Sequence, residues 1–269
     1  MSSFFPTDRL FLIAGPCVVE NDALNLAIAK ELQRLSPTVP GGIIYKASFD
    51  KANRSNRGAA RGPGMDSGLQ SLRRVKDATG ISIITDVHLP DQCAEAAAVV
   101  DALQIPAFLC RQTDLLEAAG ATGKPTNVKK GQWLQPEGMR GAVEKVRAAG
   151  PAGSEVAVTE RGTFFGYGDL VVDMRSFTRM RDATGAPVIF DATHSVQRPG
   201  LGEGGSSGGA REFIPVLAMS AIAAGANGVF LETHPDPDNA PSDGPNMLPL
   251  GDLEALVRRL VSLWENVHR

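Results

Sequence analysis

Three basic and three small polar residues lie close together in the segment KASFDKANRSN, residues 46–56. The six residues are Lys46, Ser48, Lys51, Asn53, Arg54 and Ser55. The apolar stretch GIIY directly precedes the segment. Lysine and arginine side chains form charge-assisted hydrogen bonds with phosphates and carboxylates. The segment therefore predicts either a solvated loop or a binding site for a strongly anionic molecule.

A second group of residues carries side chains that bind divalent metal ions. The group consists of Cys17, His194, Glu232 and Asp243. A thiolate, an imidazole and two carboxylates suit a borderline cation such as Zn²⁺ or Fe²⁺. Because the four residues are far apart in the chain, their spacing alone leaves the metal site a hypothesis. A lone cysteine is also typical of a small buried apolar residue.

Short runs rich in β-branched residues recur along the chain and predict eight strands. The strands are predicted at 11–16, 42–48, 81–87, 101–107, 126–131, 155–162, 187–194 and 228–234. Helix-like segments follow each run, and several end in glycine, as helices often do. Eight such alternations favour a (β/α)₈ TIM barrel, an α/β fold, with one domain covering residues 1–269. A doubly wound open sheet is the alternative, but no dinucleotide-binding fingerprint follows the first strand.

In a (β/α)₈ barrel, the carboxyl ends of the strands form the active-site face. We therefore expect the polar residues at the predicted strand ends to meet there. The cations expected at this face are Lys46, Lys51, Arg54, Arg111, Lys129 and Arg161. Like charges repel unless an anion neutralises them, so this set predicts a substrate with phosphate and carboxylate groups. Asp86 and His88, at the end of the third predicted strand, belong to the same face.

The composition bounds the possible functions. The chain has 269 residues, of which 43% are hydrophobic and 21% charged, as in ordinary globular proteins. A net charge of −3 gives no general attraction to nucleic acid or to an anionic membrane. No signal-peptide pattern and no run of about 20 apolar residues occurs. Three cysteines without CxxC spacing indicate a reducing compartment, so a cytoplasmic location is expected. The glycine-rich segment 200–210 predicts a mobile loop within 197–210 that closes over the site.

Long motifs in a fixed order resemble the 3-deoxy-D-manno-octulosonate 8-phosphate synthase family. The motifs are AGPC, KASFDKANRS, TDVH, NVKKGQ, ERGTFFGYGDLVVDMR, FDATHSVQRPG and ETHPDPDNAPSDGPNMLPL. They cover residues from about 11 to 250. The resemblance implies a (β/α)₈ barrel, a homotetramer, and condensation of phosphoenolpyruvate with D-arabinose 5-phosphate and water. The product is an eight-carbon phosphorylated sugar acid used in lipopolysaccharide biosynthesis.

The resemblance also implies roles for individual residues. Contacts to phosphoenolpyruvate fall on Lys46, Ser48, Lys51, Arg111, Lys129 and Arg161. Contacts to the sugar phosphate fall on Asn53, Arg54 and Ser55. Gln104 and Gln132 join the predicted substrate-binding set. The predicted catalytic set is Lys46, Lys51, Asp86, His88, Lys129, His194 and Asp243.

The family has metal-dependent and metal-independent branches, and two features resemble the dependent one. The independent branch has Asn where this chain has Cys17, and a Cys-Asp-Pro element where this chain reads SVQRPG. The metal ligands implied are Cys17, His194, Glu232 and Asp243, holding Zn²⁺, Fe²⁺ or Mn²⁺.

Two other functions are the alternatives. The related 3-deoxy-D-arabino-heptulosonate 7-phosphate synthases use erythrose 4-phosphate, but they typically have Lys-Pro-Arg-Thr where this chain reads KANRS. A barrel that binds sugar phosphates without catalysis is the other alternative. A site that has lost catalysis is expected to lack some metal-binding or cationic residues. All the residues expected of an active site are present in this sequence.

Overall fold

Eight parallel strands close into a barrel in the computed structural model, which describes residues 3–54, 57–202 and 208–268. The barrel strands are β1 (Phe11–Gly15), β2 (Ile43–Lys46), β3 (Ile83–Asp86), β4 (Ala102–Ile105), β5 (Thr126–Lys129), β6 (Val156–Glu160), β7 (Val188–Asp191) and, eighth, β10 (Gly228–His234). Each strand pairs in parallel with the next, and β10 pairs with β1. The predicted (β/α)₈ barrel is therefore confirmed.

Eight α-helices in the described part of the chain surround the barrel. They are α1 (Asp22–Leu35), α2 (Met65–Thr79), α3 (Gln92–Ala97), α4 (Thr113–Ala121), α5 (Met139–Ala149), α6 (Ser176–Thr184), α7 (Ile214–Ala223) and α8 (Leu250–Val267). Gly80 and Gly185 end α2 and α6 with φ of 66° and 59°, the left-handed conformation that favours glycine. No helix among the described residues has both the length and the apolar character needed to cross a membrane.

Three further short strands lie at the carboxyl-end face. Strands β8 (Gln197–Arg198) and β9 (Gly208–Gly209) pair in antiparallel fashion after β7. Strand β11 (Leu248–Pro249) pairs with the end of β10. Residues 203–207 of the predicted mobile loop lie outside the described residues. The first seven predicted strands end one to three residues earlier than expected, whereas the eighth has the predicted bounds. After β7, for example, His194 has left the sheet and begins a 3₁₀ turn (His194–Val196).

The barrel interior changes from apolar to polar along its axis. A buried apolar cluster fills one end: Phe5, Phe11, Ile13, Ile44, Ile84, Ala102, Ala157, Ile189 and Phe230. Successive side chains of a strand alternate between its two faces, so the residue two positions later points inward as well. These later positions hold polar side chains: Lys46, Asp86, Gln104, Thr159, Asp191 and Glu232. The alternation of side chains along each strand thus places a polar layer between the apolar cluster and the carboxyl-end face of the barrel.

Candidate active site

A cavity of about 470 Å³ opens at the carboxyl-end face of the barrel. Most of the predicted site residues line it: Lys46, Lys51, Asn53, Arg54, Asp86, His88, Lys129, Gln132, Arg161, His194 and Asp243. They come from the ends of different strands and from the loops that follow, so barrel closure brings together residues up to 197 positions apart (46 to 243). The cavity is large enough for a substrate of a few hundred Å³.

The remaining predicted residues lie elsewhere. Cys17, Ser48 and Glu232 are fully buried and are not part of the cavity wall. Gln104 is fully buried inside the barrel, where both ends of its amide already have protein partners. Ser55 lies outside the described residues.

The structure does not bring Arg111 to the cavity of this chain. Arg111 is exposed, in the turn between a 3₁₀ helix (Ala107–Leu109) and α4. The start of the 3₁₀ helix instead brings Pro106, Ala107 and Phe108 to the cavity wall. The expected convergence of six cations is thus reduced to five among the described residues.

Buried carboxylates neutralise two of the lysines, which the sequence analysis did not foresee. Lys46 Nζ lies 3.2 Å from Asp86 Oδ2 and 3.2 Å from Glu232 Oε1. Lys129 Nζ lies 2.6 Å from Asp191 Oδ2. Burial opposes the charge on Lys46, but the two carboxylates outweigh it and raise the pKa of Lys46 above its usual value. The prediction that a bound anion must neutralise the cations of this face is therefore wrong for these two lysines, because protein carboxylates already do so.

Two arginines in the cavity wall keep unused hydrogen-bond donors. Arg161 Nη2 donates to Gln197 Oε1 at 2.6 Å, whereas its Nη1 is buried and has no partner among the described residues. Arg54 Nε donates to the Ala60 carbonyl at 3.0 Å, and its buried Nη2 also has no partner within the described ranges. An unpaired buried donor is costly, and an oxyanion in the cavity would satisfy it.

Side chains in and behind the cavity wall form a cluster that could hold a metal ion. The Cys17 Sγ and one carboxylate oxygen each of Glu232 and Asp243 lie within 4.8 Å of one another. His194 Nε2 lies 3.7 Å from Glu232 Oε2 and 3.8 Å from Asp243 Oδ2. Glu232 Oε2 is buried and has no hydrogen-bond partner in the described part of the chain. The soft sulfur and the orphaned carboxylate oxygen fit a divalent cation, whereas the His194 ring lies next to this group of three and is not part of it.

Two side chains of this cluster have shifted pKa values. Burial, followed by the charge of Glu232, raises the pKa of the Cys17 thiol above its usual value. The thiol donates to Asp243 Oδ2 at 3.2 Å. Burial acts to raise the pKa of Asp243 as well, but His194 and Lys51 outweigh it and lower that pKa to about 2. A bound divalent cation would stabilise the thiolate that two neighbouring carboxylates otherwise disfavour.

Asp191 orients His194, a role that the sequence analysis did not assign. Asp191 Oδ1 accepts a hydrogen bond from the backbone N–H of His194 at 2.9 Å, and its Oδ2 lies 2.8 Å from Nδ1 of the ring. Nε2 of the ring is thereby left to face Glu232 and Asp243. The sequence did hold a signal for this role: Asp191 lies two positions after the buried apolar Ile189, so its side chain also points into the barrel.

His88 contributes a neutral imidazole to the cavity wall. Burial lowers the pKa of His88 below its usual value, although Asp86 and Asp50 act in the opposite direction. Its Nδ1 is buried and has no partner among the residues that the structure describes. A neutral ring with a free nitrogen can accept or pass on a proton near neutral pH.

The barrel, the cavity with unused guanidinium donors and the adjoining metal-donor cluster define a (β/α)₈-barrel enzyme for anionic substrates. The family model described as the DAHP synthetase I family matches residues 6–269, and the chain belongs to this family.

Curated relatives are similar over nearly the whole chain. A "2-dehydro-3-deoxyphosphooctonate aldolase" of Rhodopseudomonas palustris (strain BisB5) is 58% identical over 252 residues, covering 94% of this chain and 87% of the relative. Proteins with the same name are 56% identical in Bradyrhizobium sp. (strain BTAi1 / ATCC BAA-1182), over 94% of this chain and 87% of the relative. In Nitrobacter winogradskyi the identity is 56%, over 96% of this chain and 89% of the relative.

Proposed function

We propose that this chain condenses phosphoenolpyruvate with D-arabinose 5-phosphate and water. The products are 3-deoxy-D-manno-octulosonate 8-phosphate and inorganic phosphate, in lipopolysaccharide biosynthesis. The relatives named 2-dehydro-3-deoxyphosphooctonate aldolase support this activity through 56–58% identity. The observation that carries the proposal is the pair of unused guanidinium donors, on Arg54 and Arg161, in one cavity. Two separate oxyanion donors suit two phosphorylated substrates.

Phosphoenolpyruvate occupies the side of the cavity bordered by Lys46, Lys51, Lys129, Gln132 and Arg161. The charges of Lys46 and Lys129 are already balanced by carboxylates, so Lys51 and Arg161 supply the net attraction. Hydrogen bonds between charged groups contribute about 1.5–3 kcal/mol each, so a few are enough for micromolar binding. Arg111 joins this set only if a second copy of the chain brings it to the cavity, as the homotetramer proposed below allows.

The sugar phosphate occupies the side bordered by Asn53 and Arg54. Arg54 Nη2 has no partner among the described residues, and its Nε donates to the Ala60 carbonyl. The guanidinium group is therefore fixed in orientation before the phosphate binds, which reduces the entropy lost on binding. Ser55 completes the proposed phosphate contacts.

The reaction forms a bond between C3 of phosphoenolpyruvate and the aldehyde carbon of the open-chain pentose phosphate. Positive charge develops at C2, water adds there, and the phosphohemiketal loses phosphate with cleavage of its C–O bond. The aldehyde oxygen gains one proton and water loses one. His88 borders the cavity and has a buried ring nitrogen without a partner in the described part of the chain, so it can carry such a proton. Holding both substrates in line contributes several kcal/mol, up to roughly 7–11 in ideal cases.

Cys17, His194, Glu232 and Asp243 hold a divalent cation in this proposal. When bound, such a cation polarises a carbonyl oxygen or lowers the pKa of a water molecule. The donor set suits Zn²⁺, Fe²⁺ or Mn²⁺, since it combines one soft ligand with harder ones. Asp191 keeps the ring of His194 turned towards the site.

The proposal extends to assembly and location. Phe165 and Tyr167 are 95% and 93% exposed, and large aromatic side chains exposed to this extent support contact with further copies in a homotetramer. The buried free thiols Cys17, Cys93 and Cys110 support a reducing, cytoplasmic location. The catalytic domain is the one barrel, and neither nucleic acid nor membrane is a partner.

The family description favours one alternative, a synthase that uses erythrose 4-phosphate to give a seven-carbon product. Phosphate release from phosphoenolpyruvate, with the five-carbon and four-carbon sugar phosphates in parallel, tests the choice. We expect kcat/KM to be at least about 100-fold higher with the pentose phosphate, and the product mass to match an eight-carbon acid. Preference for the tetrose phosphate would overturn the substrate assignment, and no release with either would overturn the activity.

A further inference from the structure

Four buried side chains form a continuous hydrogen-bonded row across four neighbouring barrel strands. Thr159 Oγ1 on β6 lies 2.8 Å from Asn127 Oδ1 on β5. Asn127 Nδ2 lies 2.9 Å from Gln104 Oε1 on β4, and Gln104 Nε2 lies 2.7 Å from Asp86 Oδ1 on β3. Thr159, Asn127 and Gln104 are fully buried, and Asp86 is 7% exposed. We call these four residues the inner polar row.

The direction of every hydrogen bond in the inner polar row is set by its last member. An ionised Asp86 only accepts, so Gln104 must turn its NH₂ group towards it. The Gln104 carbonyl then faces Asn127 and requires the NH₂ group of that residue. The Asn127 carbonyl consequently faces Thr159, whose hydroxyl must donate. Thr159 thus supplies the donor for the last acceptor of the row.

Asp86 transmits this arrangement to the cavity. Its Oδ2 accepts a hydrogen bond from Ser48 Oγ and lies 3.2 Å from Lys46 Nζ. Both oxygens of Asp86 are therefore held, one by the inner polar row and the other by residues of the site. Asn127 and Thr159 do not line the cavity themselves.

We propose that Asn127 and Thr159 are positioning residues for the condensation, acting through Gln104 to fix the carboxylate of Asp86 against Lys46. This inference rests on the proposed function. Gln104, predicted to bind substrate, is assigned to the same positioning role, because both ends of its amide are engaged within the inner polar row.

Loss of the Thr159 hydroxyl leaves the buried Asn127 Oδ1 without its donor. An unpaired buried carbonyl is costly, so Asn127 shifts and its hydrogen bond to Gln104 weakens. Gln104 then holds the Asp86 carboxylate less firmly, and Lys46 loses a fixed partner. A purely structural row would instead affect the stability of the fold and leave the kinetics of the folded enzyme unchanged.

The test compares Thr159→Val with Thr159→Ser and with the matched control Thr126→Val. Thr126 is also a buried threonine, one residue before Asn127, but its hydroxyl bonds to the Lys124 carbonyl, outside the inner polar row. We expect Thr159→Val to lower kcat about tenfold, with the KM for phosphoenolpyruvate changed less than about threefold. Thr159→Ser keeps a donor and should restore kcat to within about twofold.

Asn127→Asp provides a second test that preserves side-chain volume. It replaces the NH₂ donor with an acceptor, so it should lower kcat like Thr159→Val. The double variant should lose less than the product of the two single effects, because both act through the same row. Equal kcat for folded Thr159→Val and Thr126→Val, or fully multiplicative effects in the double variant, would overturn the positioning role. Wild-type enzyme without turnover would overturn the proposed function, and this inference with it.

Discussion

At the scale of single residues, burial decides which cations of the site remain available to a substrate. Lys46 and Lys129 are buried and paired with carboxylates, so they serve mainly as fixed donors. Arg54 and Arg161 each keep a buried nitrogen without a partner in the described part of the chain. The sequence identified these residues as cations but could not distinguish paired from unpaired ones, because the pairing depends on residues up to 186 positions away (46 to 232).

Replacement of Arg161 should weaken the binding of phosphoenolpyruvate selectively. In Arg161→Met, the free Nη1 donor and the positive charge are both lost. A charge-assisted hydrogen bond contributes about 1.5–3 kcal/mol, so the KM for phosphoenolpyruvate should rise about 10- to 150-fold. Steady-state kinetics with each substrate varied in turn will measure this. An equal rise in KM for the sugar phosphate would contradict the assignment of Arg161 to one substrate.

Asp191 should stabilise the fold in a pH-dependent way. Burial acts to raise its pKa, but His194 and Lys129 outweigh burial and hold the pKa below its usual range. Its contribution is therefore complete above the unfolded value of about 3.9 and is lost as the pH falls below it. Asp191→Asn leaves Lys129 unpaired and should cost about 3 kcal/mol at pH 7.

Urea unfolding of wild type and Asp191→Asn between pH 7 and pH 3 will measure the difference. The gap in the free energy of unfolding should narrow below about pH 4. Asp169→Asn is the control, since Asp169 pairs with Arg198 near the surface and should cost less than about 1 kcal/mol. If the difference in the free energy of unfolding between wild type and Asp191→Asn stays constant with pH, ionisation of Asp191 does not contribute to stability.

At the scale of secondary-structure elements, the alternation along each barrel strand explains where the site lies. Ile84 and Asp86 on β3, and Ala157 and Thr159 on β6, show the same change from an apolar to a polar interior position. The eight strands and helices could be predicted because their periodicity is local. The hydrogen bond from Thr159 to Asn127 could not, because it requires knowledge of which strands become neighbours and at what register.

Two glycines should separate the effects of packing from those of site geometry. A side chain at Gly15 would overlap the carbonyl oxygen of Lys46, between β1 and β2, whereas one at Gly120 would overlap that of Val146, between α4 and α5. Both Gly→Ala variants should lose about 1–3 kcal/mol of stability. Only Gly15→Ala should also lower kcat/KM, since it displaces Lys46 within the site.

Urea midpoints and kcat/KM, measured at a temperature where both variants are folded, will test this pair. Unchanged kcat/KM in folded Gly15→Ala would indicate that the site tolerates movement of β1 against β2. A lowered kcat/KM in Gly120→Ala would indicate coupling between the outer helices and the cavity.

At the scale of the whole molecule, barrel closure places the cavity next to a cluster of side chains that could hold a metal ion. Lys46 connects the two, because its Nζ contacts Asp86 in the cavity wall and Glu232 in the cluster. The motif resemblance anticipated this combination, whereas the exposed position of Arg111 was not foreseen from a strand-end count. A turn of a few residues directs a side chain into or away from a cavity, and sequence patterns do not resolve that direction.

The most direct test of this account is turnover before and after metal removal. Enzyme dialysed against a chelator should lose phosphate release from phosphoenolpyruvate and the pentose phosphate, and about one equivalent of Zn²⁺, Fe²⁺ or Mn²⁺ per chain should restore it. Loss of a residue that only hydrogen-bonds to a metal ligand typically weakens metal binding by roughly 10- to 100-fold. Cys17→Ala removes a ligand itself, so it should weaken metal binding by a larger factor. Wild-type turnover that persists after complete removal of metal would contradict the cluster of Cys17, His194, Glu232 and Asp243 as a metal site.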